Sequence, residues 1–334
     1  MSGSSNTLTN EQSTIEVNNL KMYFPVRRGV LKRKVGDVKA IDGVSFSIRQ
    51  GETLGLVGES GCGKTTVGRC IIRVYKPTSG EIVFKGTDIS AIPDSKLHSY
   101  RRNMAMIFQD PYSSLDPRMN SGKTVGEPLI VHKLTQSKGE YNDRVDELFT
   151  LTGLNPNMRD RFPHEFSGGQ RQRLSIARAL AGAPSLIVCD EPISALDVSM
   201  QAQILRLLQE LQEKNSNMSY LFISHDLLAV QYISQRVAVM YLGRTVETAP
   251  SQMLYSNTMH PYSQALLSAQ PVPDPVAEET RQRIILEGDI PTPLNPPPGC
   301  SFNTRCPIAT QECCESEPVL RDMGSGHYVA CHRV

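Results

Sequence analysis

Short apolar runs recur along this chain, and each is bounded by glycine, proline or charged residues. The runs at 53–57, 185–189 and 220–223 combine leucine, β-branched and aromatic residues over the usual length of a strand. Continuous apolarity of this kind is typical of parallel strands that are buried on both faces. Two further strands are predicted nearer the N-terminus, at 20–24 and around 44–48.

Helices are predicted between several of these strands. A helix over 66–74 follows the strand at 53–57. In the segment 170–180, the residues Leu174, Ala177 and Leu180 recur at the spacing of one helical face.

The order of these elements predicts the fold class. Residues 15–109 and 184–247 alternate strands with helices, whereas 111–183 is mostly helical. We therefore expect an α/β core that carries a helical subdomain at about 111–183.

A glycine-rich loop joins the strand at 53–57 to the helix that follows it. The loop fits the pattern G-x-x-x-x-G-K-[ST] in the strand-to-helix context that this pattern requires. Backbone N–H groups of such a loop, together with the positive end of the helix, hold phosphate oxygens. Lys64 is expected to reach the β- and γ-phosphates, and the Thr65 hydroxyl to ligate Mg²⁺. The predicted phosphate contacts are Gly58, Glu59, Ser60, Gly61, Cys62, Gly63, Lys64, Thr65 and Thr66.

Two carboxylates end the apolar run at 185–189. Ligands sit at the carboxyl ends of strands in open α/β sheets, so Asp190 is placed to hold Mg²⁺. Glu191 is placed to polarise the water that attacks the γ-phosphate. Together with the loop at Gly58, this pair predicts a nucleoside triphosphatase.

A second anion-binding segment precedes the predicted helix at 170–180. Ser167 is a good N-cap, and Gly168 and Gly169 allow an anion to approach the helix's positive end closely. An ordinary capped helix is the alternative for this segment.

Composition and charge limit the class of protein. At 334 residues the chain is long enough for about two domains of roughly 150 residues. A net charge of +1 gives no indication of the clustered basic surface that binds nucleic acid. No apolar run approaches the roughly 20 residues that span a bilayer, and residues 1–16 lack the core of a signal peptide. We therefore expect a soluble chain with a flexible N-terminus at 1–14 and with membrane attachment only through partners.

The character of the chain changes at His260. Prolines then mark extended connections, and a C-terminal module begins that holds five of the eight cysteines. Clustered cysteines in a reducing compartment favour a metal site over disulfides, with free, inert thiols as the alternative. Their spacing fits neither paired C-x-x-C zinc ribbons nor the bacterial ferredoxin run, so it leaves the metal undecided. The connecting prolines are Pro271, Pro273, Pro275, Pro291, Pro293, Pro296, Pro297 and Pro298.

Taken in order, the motifs resemble those of the ABC ATPase family. Beyond the phosphate loop and the carboxylate pair, Gln109 is similar to the Q-loop glutamine and His225 to the switch histidine. The segments 167–170 and 194–197, the second ending in Asp197, are similar to the ABC signature and the D-loop. Phe166 stands where many members have leucine. The resemblance implies a P-loop NTPase core with a helical signature subdomain.

The family resemblance also implies roles for these residues. Two subunits clamp ATP between them, and Ser167, Gly168, Gly169, Gln170 and Asp197 serve the nucleotide held by the partner. The resemblance makes Phe24 the aromatic residue that stacks on adenine, with its neighbour Tyr23 as the alternative. Gln109 also contacts Mg²⁺. The implied catalytic residues are Glu191, His225, Gln109 and Lys64.

The tail narrows the resemblance to the oligopeptide and dipeptide branch of ABC importers. The similar segments are 260–262, 299–307 and 329–331. The resemblance implies an ATPase domain at 15–258 and a small cysteine-containing C-terminal domain at 259–334. It also implies a [4Fe–4S] cluster, for which Cys314 is an alternative to its neighbour Cys313. The implied cluster ligands are Cys300, Cys306, Cys313 and Cys331.

The function implied by this branch is ATP hydrolysis that drives import of di- or oligopeptides. The expected partners are a second ATPase subunit, as a heterodimer or a homodimer, two transmembrane permease chains and an extracytoplasmic binding protein. The expected location is the cytoplasmic face of the inner membrane. Glutathione and nickel chelates are alternative cargoes, and a non-transport ABC ATPase or a redox-sensing ATPase are alternative functions.

Overall fold

The computed structural model describes residues 13–29, 33–270 and 283–334. Most of the predicted flexible N-terminus, 1–14, lies outside these residues, although Ser13 and Thr14 already belong to a strand. The predicted extended connection through Pro271, Pro273 and Pro275 also lies outside the described residues. No helix in the described part of the chain is both long and apolar enough to cross a bilayer.

Within the described residues, twelve strands form two sheets. The strands are β1 (Ser13–Arg28), β2 (Arg33–Arg49), β3 (Thr53–Val57), β4 (Ser79–Phe84), β5 (Thr87–Asp88), β6 (Met104–Ile107), β7 (Leu186–Asp190), β8 (Ser219–Ile223), β9 (Arg236–Tyr241), β10 (Arg244–Pro250), β11 (Arg321–Asp322) and β12 (Tyr328–Val329). One sheet has the order β2-β1-β4-β5, and the other has the order β11-β12-β10-β9-β3-β8-β7-β6.

Helices connect and cover these strands. They are α1 (Lys64–Ile71), α2 (Asp94–Arg101), α3 (Pro111–Ser114), α4 (Ser121–Val131), α5 (Lys138–Leu151), α6 (Gly168–Leu180), α7 (Val198–Lys214), α8 (Leu227–Ile233), α9 (Ser251–Ser256), α10 (Pro261–Ser268) and α11 (Gln311–Glu315). The predicted α/β class is confirmed, as are the strand at 53–57 and the apolar face of α6 at Leu174 and Ala177.

The larger sheet positions the predicted nucleotide site. Its strands β6, β7, β8, β3 and β9 run parallel, and every residue of β3, β7 and β8 is buried. Apolar side chains pack on both faces of these strands, which explains why they read as continuous apolar runs. Parallel strands bring their carboxyl ends to one edge, so residues that follow β3, β6, β7 and β8 meet there.

The N-terminal part differs from the predicted alternation of strands and helices. There, β1 pairs antiparallel with both β2 and β4, and β4 pairs with β5. The predicted strands at 20–24 and 44–48 lie within β1 and β2, which are much longer than the apolar runs. An exposed antiparallel sheet tolerates polar residues on one face, so its strands extend past their apolar segments.

The helical subdomain has its own core. Helices α4, α5 and α6 pack around Phe149, Val125 and Leu174, all of which are fully buried. Phe166, which stands in the signature segment, is also buried in this core. The subdomain therefore holds the N-terminus of α6 in a fixed place beside the sheet.

The C-terminal module packs on the α/β core. β12 adds to the edge of the larger sheet by pairing with β10, and Phe302 packs edge-on against the rings of Tyr241 and Tyr262. Phe302 and Val329 are buried, whereas Ile308 and Val319 are exposed. The module is thus stabilised by its contact with the sheet rather than by a large core of its own.

Candidate nucleotide site

The loop between β3 and α1 has the backbone geometry of a phosphate cradle. Gly58, Gly61 and Gly63 have φ angles of 149°, 80° and 108°. Residues that carry a Cβ atom rarely adopt such positive φ angles. A Cβ atom at Gly58 would lie 2.2 Å from the Met240 carbonyl oxygen, and one at Gly63 would lie 2.2 Å from the Ala40 carbonyl oxygen. Glycine is therefore required at both positions, and the loop fits a polyphosphate.

Lys64 lies inside this loop. Its ammonium group donates hydrogen bonds to the carbonyl oxygens of Gly58 at 2.8 Å and Glu59 at 3.0 Å. The side chain is buried, so its charge is directed at the interior of the loop rather than into solvent.

Thr65 and Asp190 form the expected oxygen pair for a magnesium ion. The Thr65 hydroxyl donates to the Asp190 carboxylate at 2.8 Å. Burial raises the pKa of Asp190, while the Thr65 hydroxyl opposes that shift. Carboxylate and hydroxyl oxygens suit Mg²⁺, and their place beside the phosphate loop fits an ion that also binds phosphate.

Three predicted catalytic residues meet at the sheet edge. The Gln109 amide donates to the Glu191 carboxylate at 2.9 Å, and Nδ1 of His225 lies 3.3 Å from the same oxygen. These residues follow β6, β7 and β8, which are neighbouring parallel strands. Glu191 has a φ of 48°, in the left-handed region, so its carboxylate is held by a strained backbone.

A cavity of about 470 Å³ contains the phosphate loop and these three residues. Val38, Ala40 and Pro293 also line it. No local sequence pattern marks these three residues, because their position at the cavity depends on contacts between distant segments. The Lys39 N–H donates to the Pro293 carbonyl at 3.1 Å and brings the proline-rich segment to β2.

The two candidate adenine-stacking residues differ in their surroundings. Tyr23 donates its hydroxyl proton to Asp42, and burial raises the pKa of Tyr23 to about 12. Phe24 packs edge-on against Tyr75 and lies opposite Val38 in the β1–β2 pairing. Phe24 thus lies opposite a residue of the cavity and, unlike Tyr23, has no hydroxyl group bound to a neighbouring side chain.

The signature residues lie outside this cavity. Ser167 caps α6 by accepting from the Gln170 N–H at 3.3 Å, and the Gln170 side chain accepts from the Ser167 N–H at 3.0 Å. Ser167 is exposed, and Gly168 is half-buried. Asp197 caps α7 in a similar way, and hydrogen bonds from Ser199 and Met200 hold its pKa below the usual value. The two cap residues, Ser167 and Asp197, are both exposed to solvent.

The tail cysteines lie near one another. Burial raises the pKa of Cys300 to about 11, and the neighbouring Cys313, Cys306 and Cys331 add to that shift. Cys313 and Cys331 are buried, whereas Cys314 is exposed. Even so, residues 13–29, 33–270 and 283–334 contain no group of three or more His, Cys, Asp or Glu side chains arranged to hold a metal ion.

Two models of known protein families match separate parts of the chain. Residues 41–194 match a family model described as ABC transporter, and residues 246–313 match one described as oligopeptide/dipeptide transporter, C-terminal region.

Curated relatives align over nearly the whole length. The chain is 53% identical to the oligopeptide transport ATP-binding protein AppF of Bacillus subtilis, covering 98% of this chain and 99% of that protein. It is 47% identical to the oligopeptide transport ATP-binding protein OppF of Salmonella typhimurium, covering 96% of each.

Among solved structures, the fold resembles the dimeric structure of MJ0796, a bacterial ABC transporter cassette. The TM-score is 0.63 at 28% identity, covering 71% of this chain and 98% of that one. A dimeric post-hydrolysis state of the same cassette, bound to ADP and Pi, matches with a TM-score of 0.63 at 27% identity.

Proposed function

The chain belongs to the ABC transporter family of ATP-hydrolysing subunits, and from that premise we propose that it powers the import of peptides through a membrane complex. The observation that carries this proposal is the meeting of Gln109, Glu191 and His225 beside the phosphate loop, within one cavity. The relatives that align over almost the whole chain are named for oligopeptide transport.

The proposed mechanism follows from the positions of these side chains. The phosphate loop and Lys64 hold the β- and γ-phosphates, and Thr65 and Asp190 hold Mg²⁺, which supplies charge neutralisation when bound. Glu191 accepts a proton from the attacking water, while Gln109 and His225 orient the Glu191 carboxylate and that water.

The exposed signature segment supports a second ATPase subunit as partner. Ser167 and Asp197, which cap α6 and α7, are exposed on this subunit, as a contact with a partner's γ-phosphate requires, and Gly168, Gly169 and Gln170 follow Ser167 in the first turn of α6. Removal of that phosphate by hydrolysis then weakens the interface. We propose a heterodimer, with a homodimer as the alternative.

A groove supports the proposed contact with permease chains. A cavity of about 750 Å³ lies between the β6 edge of the sheet and α4, and Phe108, Gln109 and Val131 help to line it. Gln109 lies in both cavities, so a permease segment bound in this groove is in direct contact with a catalytic residue. Two permease chains, an extracytoplasmic binding protein and a location at the cytoplasmic face of the inner membrane complete the proposal.

The cargo follows from the relatives rather than from a site in this chain. The proposed cargo is a di- or oligopeptide, and glutathione and nickel chelates are alternatives. We propose domain limits at 15–258 for the ATPase domain, with its helical part at about 111–183, and at 259–334 for the C-terminal domain.

For the tail, we propose a [4Fe–4S] cluster held by Cys300, Cys306, Cys313 and Cys331. The mutual effect of these thiols on the pKa of Cys300 supports their proximity. Thiolates are the ligands that such clusters take in proteins.

The substitution Glu191→Gln tests the proposed hydrolysis. It keeps the shape of the site but removes the proton acceptor, so phosphate release from the intact complex should fall by about a hundredfold or more. The affinity for Mg·ATP should stay within about threefold of the wild type, and light scattering should detect an ATP-dependent closed dimer.

The matched control is Glu210→Gln. Glu210 is an exposed carboxylate on α7 that pairs with Arg206. This variant should hydrolyse ATP normally. Near-normal phosphate release by Glu191→Gln would refute the role of Glu191.

A further inference from the structure

The C-terminal module contacts the phosphate loop directly. The Arg305 guanidinium donates two hydrogen bonds to the Glu59 carboxylate, at 2.9 and 3.2 Å. The Arg305 side chain is 8% exposed and that of Glu59 is 24% exposed. A bidentate pair with so little access to water is stronger than a surface ion pair and fixes both partners in orientation.

A second residue of the module holds the same loop position. The Tyr262 hydroxyl accepts from the Glu59 N–H at 2.8 Å, and Tyr262 is fully buried. The remaining polar group, the Glu59 carbonyl, accepts from the Lys64 ammonium at 3.0 Å. Every polar group of Glu59 therefore contacts either the C-terminal module or the phosphate-binding lysine.

Because Glu59 is negatively charged, its contact with Arg305 affects how the loop interacts with phosphate. A carboxylate in a phosphate-binding loop repels the phosphates through the low-dielectric interior of the loop. Arg305 both neutralises that carboxylate and keeps it turned toward the module.

We propose that Arg305 is a positioning residue of the ATP site. It acts through Glu59 to hold the loop and Lys64 in the phosphate-binding conformation and to cancel the repulsion of Glu59 for phosphate. The proposal rests on the proposed function, because it requires that the loop binds ATP. It makes nucleotide affinity depend on a residue of the C-terminal module that directly precedes Cys306.

A double-substitution experiment tests this proposal. The full chain would be titrated with Mg·AMP-PNP as wild type, Arg305→Met, Glu59→Gln and the combined variant. Arg305→Met leaves Glu59 charged and unpaired, so we expect the Kd to rise about tenfold, which corresponds to about 1.4 kcal/mol. Adding Glu59→Gln removes the unpaired charge and should return the Kd to within about threefold of the wild type.

The matched control is Arg321→Met. Arg321 lies in the same module, where its guanidinium donates to the carbonyl oxygens of Cys331 and Val334. This variant tests whether loosening the module by itself weakens nucleotide binding, and its Kd should equal that of the wild type.

The outcomes separate this proposal from the proposed function. A wild-type chain that does not bind Mg·AMP-PNP would overturn the proposed function. If the wild type binds, then unchanged affinity in Arg305→Met overturns the role of Arg305. Equal weakening by Arg321→Met, or failure of Glu59→Gln to restore affinity, would likewise show that Arg305 only stabilises the module.

Discussion

At the scale of single residues, Glu191 shows how the structure holds the proposed catalytic carboxylate. The residue follows directly after β7, and its backbone N–H donates to the Ile223 carbonyl at 2.9 Å. That contact stabilises the left-handed conformation at Glu191 and turns the carboxylate toward Gln109 and His225. Such a conformation costs a non-glycine residue on the order of 1–2 kcal/mol, which the surrounding parallel strands offset.

The adjacent cysteines of the tail allow a prediction, at the scale of single residues, about the proposed iron–sulfur cluster. Cys313 is buried and lies among the other thiols, whereas Cys314 is exposed. We expect anaerobically purified wild type to contain about four iron atoms per chain. Cys313→Ser should lose most of that iron and Cys314→Ser should keep it, as measured by iron and acid-labile sulfide assays. Zinc in place of iron, or equal loss in both variants, would contradict the assigned ligands.

At the scale of elements, the structure shows which features can be predicted from sequence. The sequence predicts both ends of strand β3, because a strand that is buried on both faces forms a continuous apolar run. Helix α6 begins two residues before the predicted Gln170, since Ser167 caps it and Gly168 and Gly169 join its first turn.

Pairings between distant segments are what the sequence does not predict. The contact of β12 with β10 and the approach of Pro293 to Lys39 join residues far apart in the chain. Neither leaves a local pattern. The same holds for the bond between Arg305 and Glu59, which no motif indicates.

Helix α10 gives a prediction about pH. His260 caps this helix by accepting from the Tyr262 N–H at 3.1 Å, and burial lowers the pKa of His260 to about 4. In the unfolded chain His260 therefore binds a proton near pH 6.5, whereas in the folded chain it stays neutral at that pH. The neutral, buried His260 therefore makes its full contribution to the stability of the folded state above pH 6.5. That contribution is lost as the pH falls toward 4. By pH 5 it has fallen by about 2 kcal/mol.

The substitution His260→Asn isolates this effect. Asparagine also caps helices but does not titrate, so any packing loss is the same at each pH. Urea unfolding at about pH 7.5 and pH 5 should show a smaller loss of stability in the variant than in the wild type. Equal losses in the two proteins would show that His260 does not titrate as described.

At the scale of the whole molecule, one buried carboxylate joins the ATPase core to the tail. Glu247 on β10 is fully buried and accepts from the backbone N–H groups of Met259 and His260. It also lies 2.7 Å from Nε2 of His327, just before β12. Three segments therefore depend on one side chain. β12, which begins just after His327, belongs to the same sheet as the nucleotide site.

This arrangement predicts that core and tail unfold together. His327→Ala removes one of three partners of a buried carboxylate and leaves a cavity, so the free energy of unfolding should fall by about 3 kcal/mol. His332→Ala is the matched control, since it removes a histidine of the same tail that contacts Glu312 and, at 3.0 Å, the Ser316 carbonyl, but not Glu247. Its effect should be about 1 kcal/mol, well below that of His327→Ala. In hydrogen-exchange mass spectrometry, His327→Ala should lower protection in β10, β3 and β12 to the same extent. If protection falls only in residues 283–334, the tail unfolds independently, and the coupling through Glu247 is refuted.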